Sequence, residues 1–143
     1  MSRAYDFRQV PAHLIRRAHQ RAAAIFMEEM LEFDVTPVQF AILMTLLERP
    51  RLDQVTLAQH VALDAATSGS VITRLEGRGW LERESDQRDR RRKLLWLTPE
   101  GERQALQMAQ IGPQIQERLV APLDAHERAE LVRLLGKIEQ GPL

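Results

Sequence analysis

The chain has no cysteine among its 143 residues. That excludes a disulfide framework and a thiolate metal site. Histidine is sparse as well. His13, His19, His60 and His126 are scattered along the chain, and none stands in a spaced ligand motif such as HExxH. There is no glycine-rich phosphate loop, and no serine occupies a strand-to-helix nucleophile elbow. Ser68 and Ser70 flank Gly69, but inside a helical pattern with no strand before it. A hydrolase reading has little to stand on, and no catalytic residue, metal or cofactor is expected. No apolar run approaches the ~20 residues of a membrane span. The opening residues, MSRAYDFRQVPAH, lack a signal peptide's apolar core, so a cytoplasmic location without a membrane partner is expected. Net charge is missing too, because 20 Lys and Arg offset 20 Asp and Glu. Taken whole, that balance argues against nucleic acid. A local footprint matters more, and the positive charge is concentrated at 88–93, RDRRRK.

What remains is an ordinary apolar content and a length that fits one compact domain, 1–143, with a real core. Residues 54–98 organise it: two short helical patterns joined by a tight link, a strand, an arginine-dense loop, and a second strand. That order is the layout of a winged helix-turn-helix, in which a helix is offered to the major groove and a basic hairpin to the flanking backbone or minor groove.

Residues 1–9 are polar and are expected to fray. Pro11 fits the first turn of a helix running to about Glu32, with Ile15, Ala18, Ala22, Ile25, Phe26 and Met30 forming one apolar stripe. Thr36-Pro37-Val38-Gln39 reads as a capping box with proline at the first helical position. The helix it opens is apolar nearly all round through Phe40, Ile42, Leu43, Leu46 and Leu47, and should be buried. It stops before Pro50. RLDQV reads as a surface loop, in which Val55 could add a short edge strand. Thr56 with Gln59 repeats the cap pattern for a short helix whose Leu57, Ala58 and Val61 face inward. Leu63-Asp64 makes the turn, and Asp64 caps the next helix, from about Ala65 to Arg78.

Val71, Leu75 and, by register, Ser68 or Ile72 mark the inward side of that helix. Thr67, Gly69, Ser70, Thr73 and Arg74 lie largely outside it. Small hydroxyls and a glycine let a helix sit deep in the major groove, and Arg74 can reach guanine or phosphate. The same composition also suits a merely solvated face. Gly79 fits the left-handed position that closes a helix. Residues 80–84 alternate as a strand, 85–93 form the hairpin tip, and 94–97 return, with Trp96 exposed or facing a partner. Asp89 lies two residues before Arg91, close enough to brace it.

Thr98-Pro99 opens a further helix, which Gly112-Pro113 should kink or break. Asp124, with Glu127 three residues on, caps the last helix, whose stripe is Leu131, Leu134, Leu135 and Ile138. A monomer would leave much of the two terminal stripes uncovered, so a twofold homodimer is the natural solution.

Several segments together resemble the MarR (multiple antibiotic resistance regulator) family of bacterial transcription factors. They are Thr36-Pro37 with Gln39-Phe40, Val55-Thr56-Leu57-Ala58, the run from Val71 to Arg83, Asp89-Arg90-Arg91-Arg92, and Leu97-Thr98-Pro99-Glu100-Gly101. The similarity spans about residues 12–140. It implies a mainly α fold with a small β-wing, a DNA-binding lobe over 36–98, and dimerisation helices over 10–33 and 99–140. It also implies a homodimer on a near-palindromic operator in double-stranded DNA, usually as a repressor, and often released by a small aromatic carboxylate or phenolic effector.

Carried over by position, the family's acidic-x-Arg wing motif falls on Asp89 and Arg91. Arg91 would enter the minor groove. Thr67, Ser68, Ser70 and Arg74 fall where the recognition helix meets bases and phosphates, while Arg90, Arg92 and Lys93 would mostly neutralise phosphates. Without cysteine, thiol-based oxidant sensing is excluded, which favours ligand sensing. His13, Arg16, Arg17 and His19 are the candidates to hold an aromatic acid, since arginine pairs a carboxylate at two points, with Phe40 or Met44 along the ring. The plainer alternative is that these four make dimer salt bridges or face water. At the level of the whole protein, the competing reading is a winged-helix protein–protein interaction module that never touches DNA. The Ser/Thr/Gly face and RDRRRK argue against it.

Overall fold

The computed structural model describes residues 4–143. The described residues form six α-helices and three strands in the order α1 (Pro11–Glu29), α2 (Pro37–Glu48), β1 (Leu52–Asp53), α3 (Gln54–His60), α4 (Ala65–Gly77), β2 (Leu81–Ser85), β3 (Lys93–Leu97), α5 (Pro99–Val120) and α6 (Ala125–Glu139). It divides into two units. One comprises the described residues up to Ile25 together with Pro113–Leu143, and the other is Phe26–Gly112. Among the described residues no helix is long and apolar enough to cross a membrane.

The Phe26–Gly112 unit is built on α2, which is apolar all round as its sequence requires. Ile42, Leu43 and Leu46 are fully buried, together with Met30, Leu57, Ile72, Leu75, Leu81, Leu95 and Met108. Thr36 starts α2 with the predicted reciprocal box: its Oγ1 accepts from the Gln39 N–H at 3.1 Å, and the Gln39 side chain accepts from the Thr36 N–H at 3.0 Å. The three strands form an antiparallel sheet in the order β1-β3-β2, with Leu52 opposite Leu95 and Arg83 opposite Leu95 on the other side. Gly79 closes α4 at φ 75°, the left-handed conformation that a side chain disfavours. The chain then enters β2 through Trp80. The Thr98 hydroxyl donates to the Gly79 carbonyl at 2.6 Å and accepts from the Gly101 N–H at 3.0 Å, so the start of α5 is seated on this turn.

Several boundaries differ from the sequence reading. Residues 1–3 of the segment expected to fray lie outside the described residues, and Phe7–Gln9 makes a 3-10 turn capped by Asp6. α1 ends at Glu29 rather than near Glu32. A separate 3-10 turn, Leu31–Phe33, follows and closes with Asp34 in the left-handed conformation. Arg78 donates to the carbonyls of Phe33 and Asp34, both at 2.6 Å, and thereby satisfies acceptors that a continuing helix would have used.

The short edge strand is Leu52–Asp53, not Val55. Val55 lies in the first turn of α3 and is 68% exposed. Consequently Asp53, not Thr56, caps α3. Its carboxylate accepts the Thr56 N–H at 3.0 Å and the Thr56 hydroxyl at 2.7 Å, so the residue read as the cap is the donor to it.

Pro113 does not break α5, which runs unbroken to Val120. Proline crowds the Cβ of the residue before it, and here that residue is Gly112. In the unit containing α6, Asp124 and Glu127 form the predicted capping box, and Arg128 binds Glu117 across the α5–α6 turn at 2.8 and 3.0 Å. In the single chain the terminal helices keep apolar side chains exposed. They include Leu14 and Ile15 on α1, and Val132, Leu134, Leu135 and Ile138 on α6.

Two outcomes follow from this packing. A Cβ at Gly101 would overlap the Trp80 carbonyl, whereas one at Gly77 meets nothing within 4 Å. Gly101→Ala should therefore cost about 1–3 kcal/mol as overpacking. Gly77→Ala should stabilise by about 0.5–1 kcal/mol through helix propensity. Urea unfolding of both variants checks the pair, and equal effects would contradict the packing.

The second outcome concerns the aspartate caps. Both Asp53 and Asp64 ionise below the ordinary value of 3.8. For Asp53 the leading cause is the Thr56 hydroxyl, opposed by burial and reinforced by the Thr56 N–H and Arg92. For Asp64 it is the Thr67 N–H, then the Thr67 hydroxyl. A depressed folded-state pKa contributes stability that is complete above the unfolded value and is lost as pH falls through the folded one. Asp64→Asn keeps a capping acceptor but cannot titrate. Its melting midpoint should fall less than that of the wild type between about pH 4 and pH 2. A variant whose midpoint tracks the wild type throughout would show that the charge of the Asp64 cap contributes nothing.

Candidate nucleic-acid interface

Two short helices and a strand pair place one face of α4 and the β2–β3 wing side by side within the Phe26–Gly112 unit. Asp64 begins α4 by accepting the Thr67 N–H at 2.7 Å and the Thr67 hydroxyl at 3.0 Å. The spacing of four and three from Ser68 through Ile72 to Leu75 then buries one side of the helix completely. Thr67, Ser70, Thr73 and Arg74 are left exposed on the other, as predicted from register. The Thr73 hydroxyl donates to the Gly69 carbonyl at 2.9 Å and keeps its acceptor sites outward. Among the described residues, Ser70 and the Arg74 guanidinium have no protein partner. The face thus offers a hydroxyl and a fork of donors at helical spacing, chemistry suited to base edges and phosphates.

Ser68 is the exception. It is 1% exposed, and its hydroxyl donates to the Ala65 carbonyl at 3.0 Å. The expectation that it meets DNA is corrected: a residue in register with Ile72 and Leu75 points into the core.

The wing is more ordered than a run of arginines leads one to expect. Residues 86–92 close on themselves, with the Asp86 N–H donating to the Arg92 carbonyl at 2.8 Å and the Arg92 N–H to the Asp89 carbonyl at 3.0 Å. Two carboxylates each catch a backbone amide two residues on: Asp86 that of Arg88 at 2.9 Å, and Asp89 that of Arg91 at 3.1 Å. Asp89 therefore holds Arg91 through its main chain, and the guanidinium is left without a carboxylate partner among the described residues. The guanidinium groups of Arg88, Arg90 and Arg91 have no carboxylate partner among the described residues.

The other two cations of the 88–93 run are engaged. The Lys93 ammonium donates to the Ser85 hydroxyl at 2.6 Å. Arg92 bridges Asp53 at 3.2 Å and Asp86 at 3.5 Å. Asp53 and Asp86 escaped sequence reasoning. The one local signal was an acid three residues before Thr56, which marks a cap. The pairing with Arg92 is set by tertiary structure. A recess of about 350 Å³ lies between the wing root and the start of the helix-turn-helix, with Asp53, Gln54, Val55 and Ser68 on one side and Arg91, Arg92 and Lys93 on the other. Trp96 is half-buried rather than free: its indole N–H donates to Glu82 at 2.9 Å, and Arg51 stacks over its ring at 5.1 Å.

The residues read as holding an effector divide between the units. On α1, Arg16 Nη2 and His13 Nδ1 come together at 3.3 Å, and the Phe7 ring meets His13 edge-on at 5.1 Å. Arg17 and His19 are exposed. Phe40 and Met44 are half-buried on α2 in the other unit, and Phe40 meets Phe26 edge-on at 5.5 Å. Among the described residues no cluster of His, Asp or Glu is arranged to hold a metal ion.

Comparison with known proteins agrees with this geometry. The MarR family model matches residues 35–93. The transcriptional regulator HosA of Escherichia coli O157:H7 is 32% identical over 126 residues, covering 88% of this chain and 92% of HosA. The HTH-type transcriptional repressor NicR of Pseudomonas putida is 32% identical over 134 residues, covering 94% of this chain and 85% of NicR. The solved structure of Bordetella bronchiseptica BpsR, whose DNA binding is regulated by 6-hydroxynicotinic acid, superposes with a TM-score of 0.92 at 34% identity, over 98% of this chain and 100% of that one. With the helix-turn-helix, the three-stranded wing and full-length relatives in agreement, the chain belongs to the MarR family of transcriptional regulators.

Proposed function

We propose that the protein is a sequence-specific repressor acting in the cytoplasm as a homodimer on a near-palindromic operator, and that a small aromatic or phenolic acid releases it. The observation that carries the DNA reading is the outer face of α4, with Ser70 and Arg74 unpartnered, beside a wing that presents Arg91 unpaired on a braced backbone. α4 would lie in the major groove, where Arg74 reads guanine or phosphate and Thr67, Ser70 and Thr73 contact base edges or backbone. Arg91 would enter the flanking minor groove, and Arg90 would neutralise phosphate.

Residues 36–98 act as the DNA-binding lobe. The helices over 10–33 and 99–140 carry the dimer, whose twofold axis matches a palindromic site. The exposed apolar side chains of α1 and α6 supply surface for that contact. The repressor NicR supports repression, and the 6-hydroxynicotinic-acid-regulated BpsR supports an effector that combines an aromatic ring with a carboxylate. The His13–Arg16 pair, with Arg17 and His19, supplies the groups to hold its carboxylate.

Binding to a duplex taken from the protein's own upstream region tests the first half. Arg91→Ala should weaken it by about 1–3 kcal/mol with the dimer intact. Arg74→Ala should cost a similar amount and relax base preference at one position. Unchanged affinity in Arg91→Ala would contradict the wing assignment, and a loss in Arg74→Ala that is uniform over all sequences would make that residue a phosphate contact.

Calorimetry against a panel of hydroxylated aromatic carboxylates tests the second half. A ligand should bind the free protein, lower its DNA affinity, and lose about tenfold or more in His13→Ala and Arg17→Ala, the scale of a charge-assisted pair. A ligand bound equally well by both variants would remove these residues from the site.

A further inference from the structure

Arg92 stands in the most basic stretch of the chain, yet among the described residues it is the one arginine of the wing whose guanidinium meets two carboxylates; Arg83 on β2 meets one, Glu76, and the Gln54 amide. Its Nη2 lies 3.2 Å from Asp53 Oδ1 and its Nη1 3.5 Å from Asp86 Oδ2. The two carboxylates are well covered, with side chains 15% and 17% exposed, while that of Arg92 is 51% exposed. Each carboxylate is fixed by other bonds. Asp53 caps α3 through the Thr56 N–H and hydroxyl, and its backbone belongs to β1, opposite Leu94. Asp86 holds the Arg88 N–H, and its own N–H closes the loop onto the Arg92 carbonyl. One guanidinium therefore joins three places: the exit of β2, the entry to β3 and the cap of α3. With two carboxylates around one cation the cluster is net negative, which is poor chemistry for holding a phosphate. It also uses what distinguishes arginine from lysine, a planar fork that serves two acceptors at once.

Resting on the DNA-binding reading above, we propose that Arg92 is a positioning residue rather than a phosphate contact: through Asp53 and Asp86 it clasps the wing root to the start of the helix-turn-helix and so aims its neighbour Arg91. Among the described residues Arg91 itself is held at the backbone alone, by Asp89, so its direction is set by where the loop is anchored. The loop's side-chain anchor outside the hairpin is Asp53. This assignment separates adjacent arginines by role: 91 meets the nucleic acid and 92 meets the protein.

The test is a fluorescence-anisotropy titration of a duplex from the protein's own upstream region, repeated over a salt series, with the melting midpoint of every variant measured alongside. A residue that neutralises one phosphate contributes about 0.9 to the slope of log K against log salt. Arg91→Ala should lower the slope by about that much. Arg92→Ala should lose about tenfold or more in affinity at every salt concentration with the slope unchanged, and Arg92→Lys should not restore it, because an ammonium supplies charge without the fork.

Asp53→Asn gives the sharper contrast. Removing a negative charge beside DNA strengthens binding by charge alone, and asparagine still caps α3. The clasp demands the reverse: a loss similar to that of Arg92→Ala, with the Asp53→Asn/Arg92→Ala double variant no weaker than either single one. Asp86→Asn should repeat the loss if Asp53→Asn melts too low to use. Tighter binding by Asp53→Asn, or a slope lowered by about 0.9 in Arg92→Ala and restored in Arg92→Lys, would make Arg92 a phosphate contact and overturn the clasp. A wild-type protein whose binding does not depend on salt would overturn the DNA reading, and the clasp's role with it.

Discussion

Ser68, Ile72 and Leu75 are each 1% exposed or less, and their burial decides what the rest of the Phe26–Gly112 unit presents. A helix with one face locked into a core has a fixed rotation about its own axis. Thr67, Ser70, Thr73 and Arg74 therefore point outward as a consequence of packing and not of their own preferences. The serine and threonines among them are mediocre helix formers. The helix persists because its apolar edge is covered and its first turn is capped by Asp64. The price of a face chemically suited to nucleic acid is low intrinsic helicity, and the core beneath it supplies the difference.

Much of this was legible in the sequence because it is local. The Thr36-Gln39 and Asp124-Glu127 boxes, the Asp64 cap and the left-handed Gly79 depend on residues within a few positions of one another. The failures have the opposite character. Thr56 and Asp53 lie three residues apart and both suit a cap. What chose between them was the pairing of Leu52 and Asp53 with β3, some forty residues on, which fixed where the strand ended and α3 began. Ser68 was ambiguous for a related reason. A small hydroxyl is tolerated on either side of a helix, and only the depth of its neighbours in the fold settled the matter. The partners of Arg92 were hidden altogether, because a run of arginines carries no mark of which member will meet a carboxylate from elsewhere in the chain.

The zero net charge now has a structural account. Acids near the wing are not merely spread out to balance the arginines. Asp86 and Asp89 each bind a backbone amide, and Asp53 and Asp86 each bind a guanidinium. They spend negative charge on geometry while leaving Arg88, Arg90 and Arg91 uncompensated. A whole-chain tally averages over that arrangement. The field felt by an approaching polyanion is that of the unpaired cations at the tip.

The closed wing loop also bears on the kinetics of an encounter. A disordered basic loop must be ordered at the moment of contact, and that ordering slows productive docking or weakens the complex. Here the Asp86–Arg92 closure and the two amide-binding carboxylates have already met that cost in the free protein. In the proposed complex, what is left to govern arrival is electrostatic steering, which acts on the association rate, whereas closeness of fit would act on how long the complex lasts. On the proposed reading, the unpaired cations of the wing would serve both the speed of finding and the length of staying, and the face of α4 the second alone.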